Sequence, residues 1–331
     1  MTAIHVESLT RKFKKTLAVD AISFDVAEGE IFGFLGPNGA GKTTTINVLS
    51  TLLKPTSGHA TIMGHDIRKE RDLVRRSIGV VFQEPALDSR LTGAENLSFH
   101  AMMYGMKGRE RKARMDEVLA LVELTDQAGK KVEAYSGGMK RRLEIARGLM
   151  HRPEVLFLDE PTIGLDAQTR RHIWDYVKKL NADTGITMML TTHYMEEADF
   201  LSHRILIIDH GKIVALDTPK ALKDILGGDI VELSIHGKIE KLVSTCKRQR
   251  WIHAATGHSG MVRLTMDTAE KRIPAILALA AKARVSVTSV SLHKPSLDDV
   301  FMHFTGKAIR EADENGKGKK NIGRGHDHAN R

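Results

Sequence analysis

Residues Gly36 to Thr43 read Gly-Pro-Asn-Gly-Ala-Gly-Lys-Thr, a G-x-x-x-x-G-K-T pattern in which each residue type has a use. The glycines let backbone N–H groups turn inward around phosphate oxygens, where side chains would stand in the way. Lys42 adds positive charge for the outer phosphates, and the Thr43 hydroxyl is suited to Mg²⁺. Downstream, the apolar run Val155-Leu156-Phe157-Leu158 ends in two acids, Asp159 and Glu160. At a strand's carboxyl end beside a phosphate loop, Asp159 can hold Mg²⁺ directly or through water, and Glu160 is placed to polarise an attacking water.

A second anion cradle is written at Tyr135-Ser136-Gly137-Gly138-Met139-Lys140, which opens an amphipathic helix carrying Leu143, Ile145, Ala146 and Leu149. A serine N-cap followed by two glycines exposes backbone N–H groups to an anion. A chain with one phosphate cradle has no need of a second for the same nucleotide. The economical reading is that this one covers the γ-phosphate bound on another copy of the chain. His193, after Thr191-Thr192, can donate a hydrogen bond to that phosphate, and Gln83 stands at a strand end. Phe13 offers a ring to stack on adenine. Taken alone, each of these three reads as readily as a structural residue.

The elements needed to position these groups are visible in the pattern. Glu30-Ile31-Phe32-Gly33-Phe34-Leu35 is an apolar strand entering the glycine loop, and Thr44-Thr45-Ile46-Asn47-Val48-Leu49 is a helix leaving it. Ile4 to Leu9 and Ile22 to Val26 alternate like half-buried strands, and residues 59–63, 78–82, 155–158, 186–190 and 204–208 read as further strands. Residues 92–126 change to helical spacing, an insert within an α/β domain, with Met102, Met103 and Met106 expected as packing filler. A hairpin at Asp209-His210-Gly211-Lys212 leads to the end of this domain near Leu226. From residue 229 to 306 the order is β-α-β-β-α-β, the split βαβ signature of a ferredoxin-like α+β domain, with its second strand expected over 251–255. A tail over 307–331, rich in Gly, Lys, Asn and His, is expected to be disordered and basic.

The 331 residues suit about two domains, and 27% charged with 41% hydrophobic residues fits a globular protein. No run approaches the ~18–20 apolar residues of a membrane span, and the N-terminus lacks the pattern of a signal peptide. One cysteine, Cys246, excludes an internal disulfide and points to a reducing, cytoplasmic setting. Of the formal charge of +9, the tail carries +3, leaving +6 over residues 1–306 with mixed signs. That balance suits an anionic membrane surface as well as nucleic acid.

In this fixed order the motifs resemble those of the ATP-binding subunit of an ABC transporter, over residues 4 to about 226. The segment Gly36-Pro37-Asn38-Gly39-Ala40-Gly41-Lys42-Thr43, with Thr44, matches the family's Walker A motif. Gln83 falls in its Q-loop, and Tyr135 to Lys140 match its signature motif, with Tyr where Leu is commonest. Asp159-Glu160 look like Walker B and the catalytic glutamate. Ile163-Gly164-Leu165-Asp166 look like the D-loop, His193 the H-loop, and Phe13 the A-loop position, where Tyr is more usual. The Tyr-Ser-Gly-Gly-Met form, the single nucleotide domain and Pro295 to Phe301 narrow the likeness to the daunorubicin-resistance and sodium-export type of exporter ATPase.

The resemblance implies a P-loop NTPase fold with a parallel core sheet, an antiparallel β subdomain and a helical subdomain at about 84–150, followed by the accessory domain. It implies an ATPase working as a homodimer around two MgATP on the cytoplasmic face of the cell membrane. Lys42, Thr43, Asp159 and Gln83 would come from one chain, and Ser136, Gly137 and Gly138 from the other, with Asp166 and Thr44 also at the nucleotide. Thr43, Asp159 and Gln83 would hold Mg²⁺; Glu160, His193 and Gln83 would serve hydrolysis. The helical insert would grip a separate membrane permease. The alternative is a soluble ABC ATPase acting on nucleic acid or ribosomes. Roughly 90 residues between Thr43 and Ser136 without sustained heptads disfavour it, so no nucleic-acid partner is expected.

Overall fold

The computed structural model describes residues 1–305; the predicted tail lies outside them. The chain divides into two compact units, the first Met1–Thr218 and the second from Pro219 onward. In the first, strands β1 (Thr2–Phe13) and β2 (Thr16–Ala27) form a hairpin. Strand β3 (Ile31–Leu35) runs through the glycine loop into helix α1 (Lys42–Leu49). Then come β4 (Ser57–Ile62), β5 (His65–Asp66), α2 (Arg71–Ser77) and β6 (Ile78–Val81). The predicted insert is helices α3 (Gly93–Met103), α4 (Gly108–Leu121) and α5 (Gly137–Leu149). The unit closes with β7 (Val155–Asp159), α6 (Ala167–Thr184), β8 (Thr187–Thr192), α7 (Met195–Leu201), β9 (Arg204–Asp209) and β10 (Lys212–Asp217).

Two sheets result: an antiparallel one ordered β2-β1-β4-β5, and a six-stranded one ordered β10-β9-β3-β8-β7-β6. Within the second, β9, β3, β8, β7 and β6 are parallel, and β10 adds an antiparallel edge through the expected hairpin. The uninterrupted apolar runs are explained by cores on both faces. On β7, Leu156 and Leu158 enter the core shared with the helical insert, while Val155 and Phe157 enter the one beneath the antiparallel sheet. Met188 and Leu190 of β8 part from Met189 in the same way. The period of two divides one apolar segment between two cores.

Met102 and Met103 depart from the sequence reading. They are 50% and 71% exposed on α3, so they do not fill a core; Met106 does pack against one.

The second unit comprises α8 (Pro219–Asp224), β11 (Asp229–His236), α9 (Ile239–Lys247), β12 (Ala254–His258), β13 (Met261–Met266), α10 (Ala269–Lys282), β14 (Ser286–His293) and α11 (Leu297–Thr305). Its antiparallel sheet, ordered β12-β13-β11-β14, is that of a split βαβ fold. Two boundaries move. The second strand starts at Ala254 and not at residue 251, because Ile252 reaches the core from a turn without pairing. The unit begins at Pro219 and not after Leu226, because α8 packs on α11. Ser296 and Asp299 cap α11 reciprocally: the Ser296 N–H donates to Asp299 Oδ2 at 2.9 Å, and the Asp299 N–H to Ser296 Oγ at 3.3 Å. Asp299 Oδ1 also lies 3.2 Å from Arg263 on β13. The lone Cys246 is fully buried, and burial pushes its thiol up to about 11.

Candidate nucleotide site

Parallel register brings the separate motifs together. Leu35 pairs with Thr192, Asp159 with Thr191 and Val81 with Leu158, so the carboxyl ends of β3, β8, β7 and β6 open at one edge. The glycine loop follows β3, Asp159-Glu160 end β7, His193 follows β8 and Gln83 follows β6.

The loop needs its glycines. Gly41 sits at φ +110°, and a Cβ there would come within 2.4 Å of the Ala18 carbonyl oxygen. At Gly36 a Cβ would come within 2.3 Å of the Ile208 carbonyl oxygen. Lys42, buried at the start of α1, donates from Nζ to the carbonyls of Gly36 at 2.7 Å and Pro37 at 3.1 Å. The same Nζ lies 3.4 Å from Glu160 Oε1. Pro37, Asn38, Gly39 and Ala40 complete the turn, with Gly39 also at positive φ. Thr44 follows in the first turn of α1.

Thr43 Oγ1 donates to Asp159 Oδ1 at 3.2 Å, and Thr191 Oγ1 donates to the same oxygen. Burial raises the Asp159 carboxyl above its ordinary value despite these two hydroxyls. Glu160 behaves oppositely. Burial alone would raise it, but His193 and the Lys42 charge outweigh burial and hold the carboxyl below the ordinary glutamate range. Its backbone adopts φ 46°, rare for a non-glycine residue, with its N–H donating to Thr191 O and Oγ1, both at 3.1 Å. Glu160 Oε2 is buried and finds no partner among the described residues. A buried acceptor left in that state needs an explanation, and a water or ligand supplies one.

The other expected residues fall in four places. Gln83, Gly137 and Glu160 line one cavity of about 170 Å³. Ser136 N-caps α5, its Oγ accepting the Met139 N–H at 3.3 Å; Ser136 and Gly137 are exposed, and Gly138 is half-buried. Asp166 N-caps α6 by accepting the Thr169 N–H at 2.9 Å, so its carboxylate already has a structural task. Phe13 ends β1, 39% exposed, with the Arg11 guanidinium 4.4 Å over its ring.

Comparison with known proteins places this geometry. A family model described as ABC transporter matches residues 19–163, and the C-terminal domain of DrrA1-3-like ATP-binding proteins matches 218–305. The linearmycin resistance ATP-binding protein LnrL of Bacillus subtilis is 42% identical over 311 residues, 93% of this chain and all of that protein. The chain belongs to the ABC transporter family.

It is an ATPase subunit of that family, with the P-loop NTPase fold. The daunorubicin/doxorubicin resistance ATP-binding protein DrrA of Streptomyces peucetius is 39% identical over 309 residues, covering 92% of each chain. Among solved structures, a dimeric post-hydrolysis state of the ATP-binding cassette MJ0796 with ADP and Pi superposes with TM-score 0.58 at 32% identity. It covers 65% of this chain and 98% of that one. The sequence reading of this ABC ATPase passed over Arg141, Glu144 and Glu197, all buried. Glu197 Oε1 accepts from Thr162 Oγ1 at 2.7 Å and Trp174 Nε1 at 2.9 Å, bracing the segment after Glu160. Charged residues on amphipathic helices read as solvated faces; for Arg141 and Glu144 the one signal is their position beside Leu143 and Ala146 on α5, and Glu197 on α7 carries none.

Proposed function

We propose that this ABC ATPase pairs head to tail with a second copy around two MgATP and drives export through a separate membrane permease. The observation that carries the reading is the cluster of Lys42, Glu160 and His193, with Glu160 Oε2 buried and partnerless. Such a carboxylate, held ionised, can take a proton from water as the water oxygen attacks the γ-phosphorus of ATP. The bond to the bridging oxygen then breaks, and ADP and phosphate separate.

Thr43, Asp159 and Gln83 suit Mg²⁺, which favours oxygen donors and keeps water and phosphate oxygens among its ligands. No cluster of three or more His, Cys, Asp or Glu among the described residues could hold a metal unaided. When bound, Mg²⁺ would neutralise charge on the outer phosphates.

The exposed Ser136-Gly137 turn supports engagement by a nucleotide on the second copy. Around α3, Leu52, Phe99, Met102, Met103 and Tyr104 are exposed, beside a cavity of about 220 Å³ lined by Arg75, His100, Arg147 and His151. Such a patch suits the cytoplasmic helices of a permease. No helix of the described residues is long and apolar enough to cross a membrane, in keeping with a peripheral position on the cytoplasmic face. The names of the relatives, drug resistance and Nod factor export among them, support export as the direction. Nothing supports the nucleic-acid alternative.

Gel filtration of Glu160→Gln tests the reading. With saturating MgATP the variant should elute as a dimer and release almost no phosphate; elution only as a monomer would overturn the pairing.

A further inference from the structure

Two charged side chains on α5 have no part in the function above. Arg141 is buried and donates from its guanidinium to the Phe82 carbonyl at 2.7 Å and the Asp159 carbonyl at 3.1 Å. Glu144, 1% exposed, accepts the Ala86 N–H at 2.6 Å, and its other oxygen accepts from Arg147 at 2.8 Å. Phe82 and Ala86 flank the segment Gln83-Glu84-Pro85. One turn of α5 therefore grips that segment at both ends and, through Arg141, also holds the end of β7. Gln83, Arg141, Glu144 and Glu160 line the same cavity.

Burial lowers the Arg141 guanidinium to about 10, with Glu144, Glu197 and Asp159 opposing, so it stays charged near neutral pH. A buried cation is costly unless paired, and apolar residues of similar volume are often no worse for stability. These charges do something that packing alone would not: they fix a loop's position in two hydrogen bonds. We infer that Arg141 and Glu144 are positioning residues, through which the helix presenting Ser136 and Gly137 sets where Gln83 stands relative to Asp159 and Glu160. A shift of the α5 N-terminus on engaging a nucleotide then reaches Gln83 of the same chain directly. The inference rests on the role proposed for Gln83.

Hydrogen exchange and steady-state ATPase kinetics on the full chain test it, with Arg141→Met, Glu144→Ala and Glu144→Gln. Glu144→Ala should speed exchange of the Ala86 amide about tenfold or more, while Glu144→Gln, which keeps an acceptor oxygen, stays within about twofold of the parent. Arg141→Met and Glu144→Ala should lower kcat about tenfold with KM for ATP within about twofold, and Glu144→Gln should recover most of kcat. Unchanged Ala86 exchange in Glu144→Ala, or a rise in KM with kcat intact, would overturn the inference. If Arg141→Met fails to fold, the two Glu144 variants decide it. Gln83→Ala, measured alongside, separates the two readings: an unchanged kcat there removes the role given to Gln83, while Ala86 exchange still reports on the clamp.

Discussion

His193 Nδ1 stands 3.3 Å from Glu160 Oε1, the oxygen that also faces Lys42 Nζ. The carboxylate proposed to activate water is thus flanked by two nitrogen groups, and that pair of neighbours decides its protonation against the pull of burial. A group with a depressed folded value lends stability above its unfolded value and loses it as pH falls through the folded one. The Glu160 carboxylate therefore stays ionised to lower pH in the folded chain than an ordinary glutamate does. His193→Ala removes the larger of the two opposing contributions, so the acid limb of residual kcat should move to higher pH. A pH–rate profile of parent and variant checks this; coincident limbs would show that His193 does not tune Glu160.

Thr191→Val preserves shape while deleting the hydroxyl that donates to Asp159 and accepts from the Glu160 N–H. Leaving two buried groups short of a partner should cost about 1–3 kcal/mol, read as a lower urea midpoint. Asp159, already raised by burial, should rise further. Apparent Mg²⁺ affinity should then fall, since the ionised carboxylate is the form that binds the cation. Affinity equal to that of the parent would contradict the account.

At Gly41 the backbone admits no Cβ. With φ +110° and the Ala18 carbonyl 2.4 Å from the added atom, Gly41→Ala must move β2 or the loop. Strain of about 1–3 kcal/mol at the cradle corresponds to roughly 5- to 150-fold in nucleotide affinity. Calorimetric titration with ADP reads it, and parent-like binding would refute the close approach.

The second unit has its own weak point in Asp299. Asp299→Ala strips the cap from α11 and leaves Arg263 facing Glu232 alone. Losing the cap and one of the two carboxylate partners of Arg263 should cost about 1–3 kcal/mol. In calorimetry, a transition belonging to residues 219–305 should fall, while stabilisation of the first unit by ATP persists. A single unshifted transition would rule this out.

Much of this was readable beforehand, and for local reasons. Asp159 and Glu160 could be placed because the preceding run is apolar at every position, which only a strand covered on both faces demands. The β-α-β-β-α-β order survived because each period was short and bounded by glycines or charges. What escaped depends on partners far apart in sequence. Arg141 contacts Phe82, and Glu197 contacts Thr162 and Trp174, across separations that no periodicity encodes. Met102 and Met103 misled because composition cannot tell a core methionine from one left bare for another surface. Asp166 shows the reverse: a motif position whose side chain also caps a helix, which the motif alone does not tell.

Cys246 has one further consequence. Its sulfur is enclosed and its thiol is shifted to about 11, so at neutral pH it stays protonated and slow to alkylate. The protein thus carries a chemically silent background, on which a single thiol introduced beside Ser136 or Phe13 would take a fluorophore or spin label alone and report distances across the proposed nucleotide sandwich.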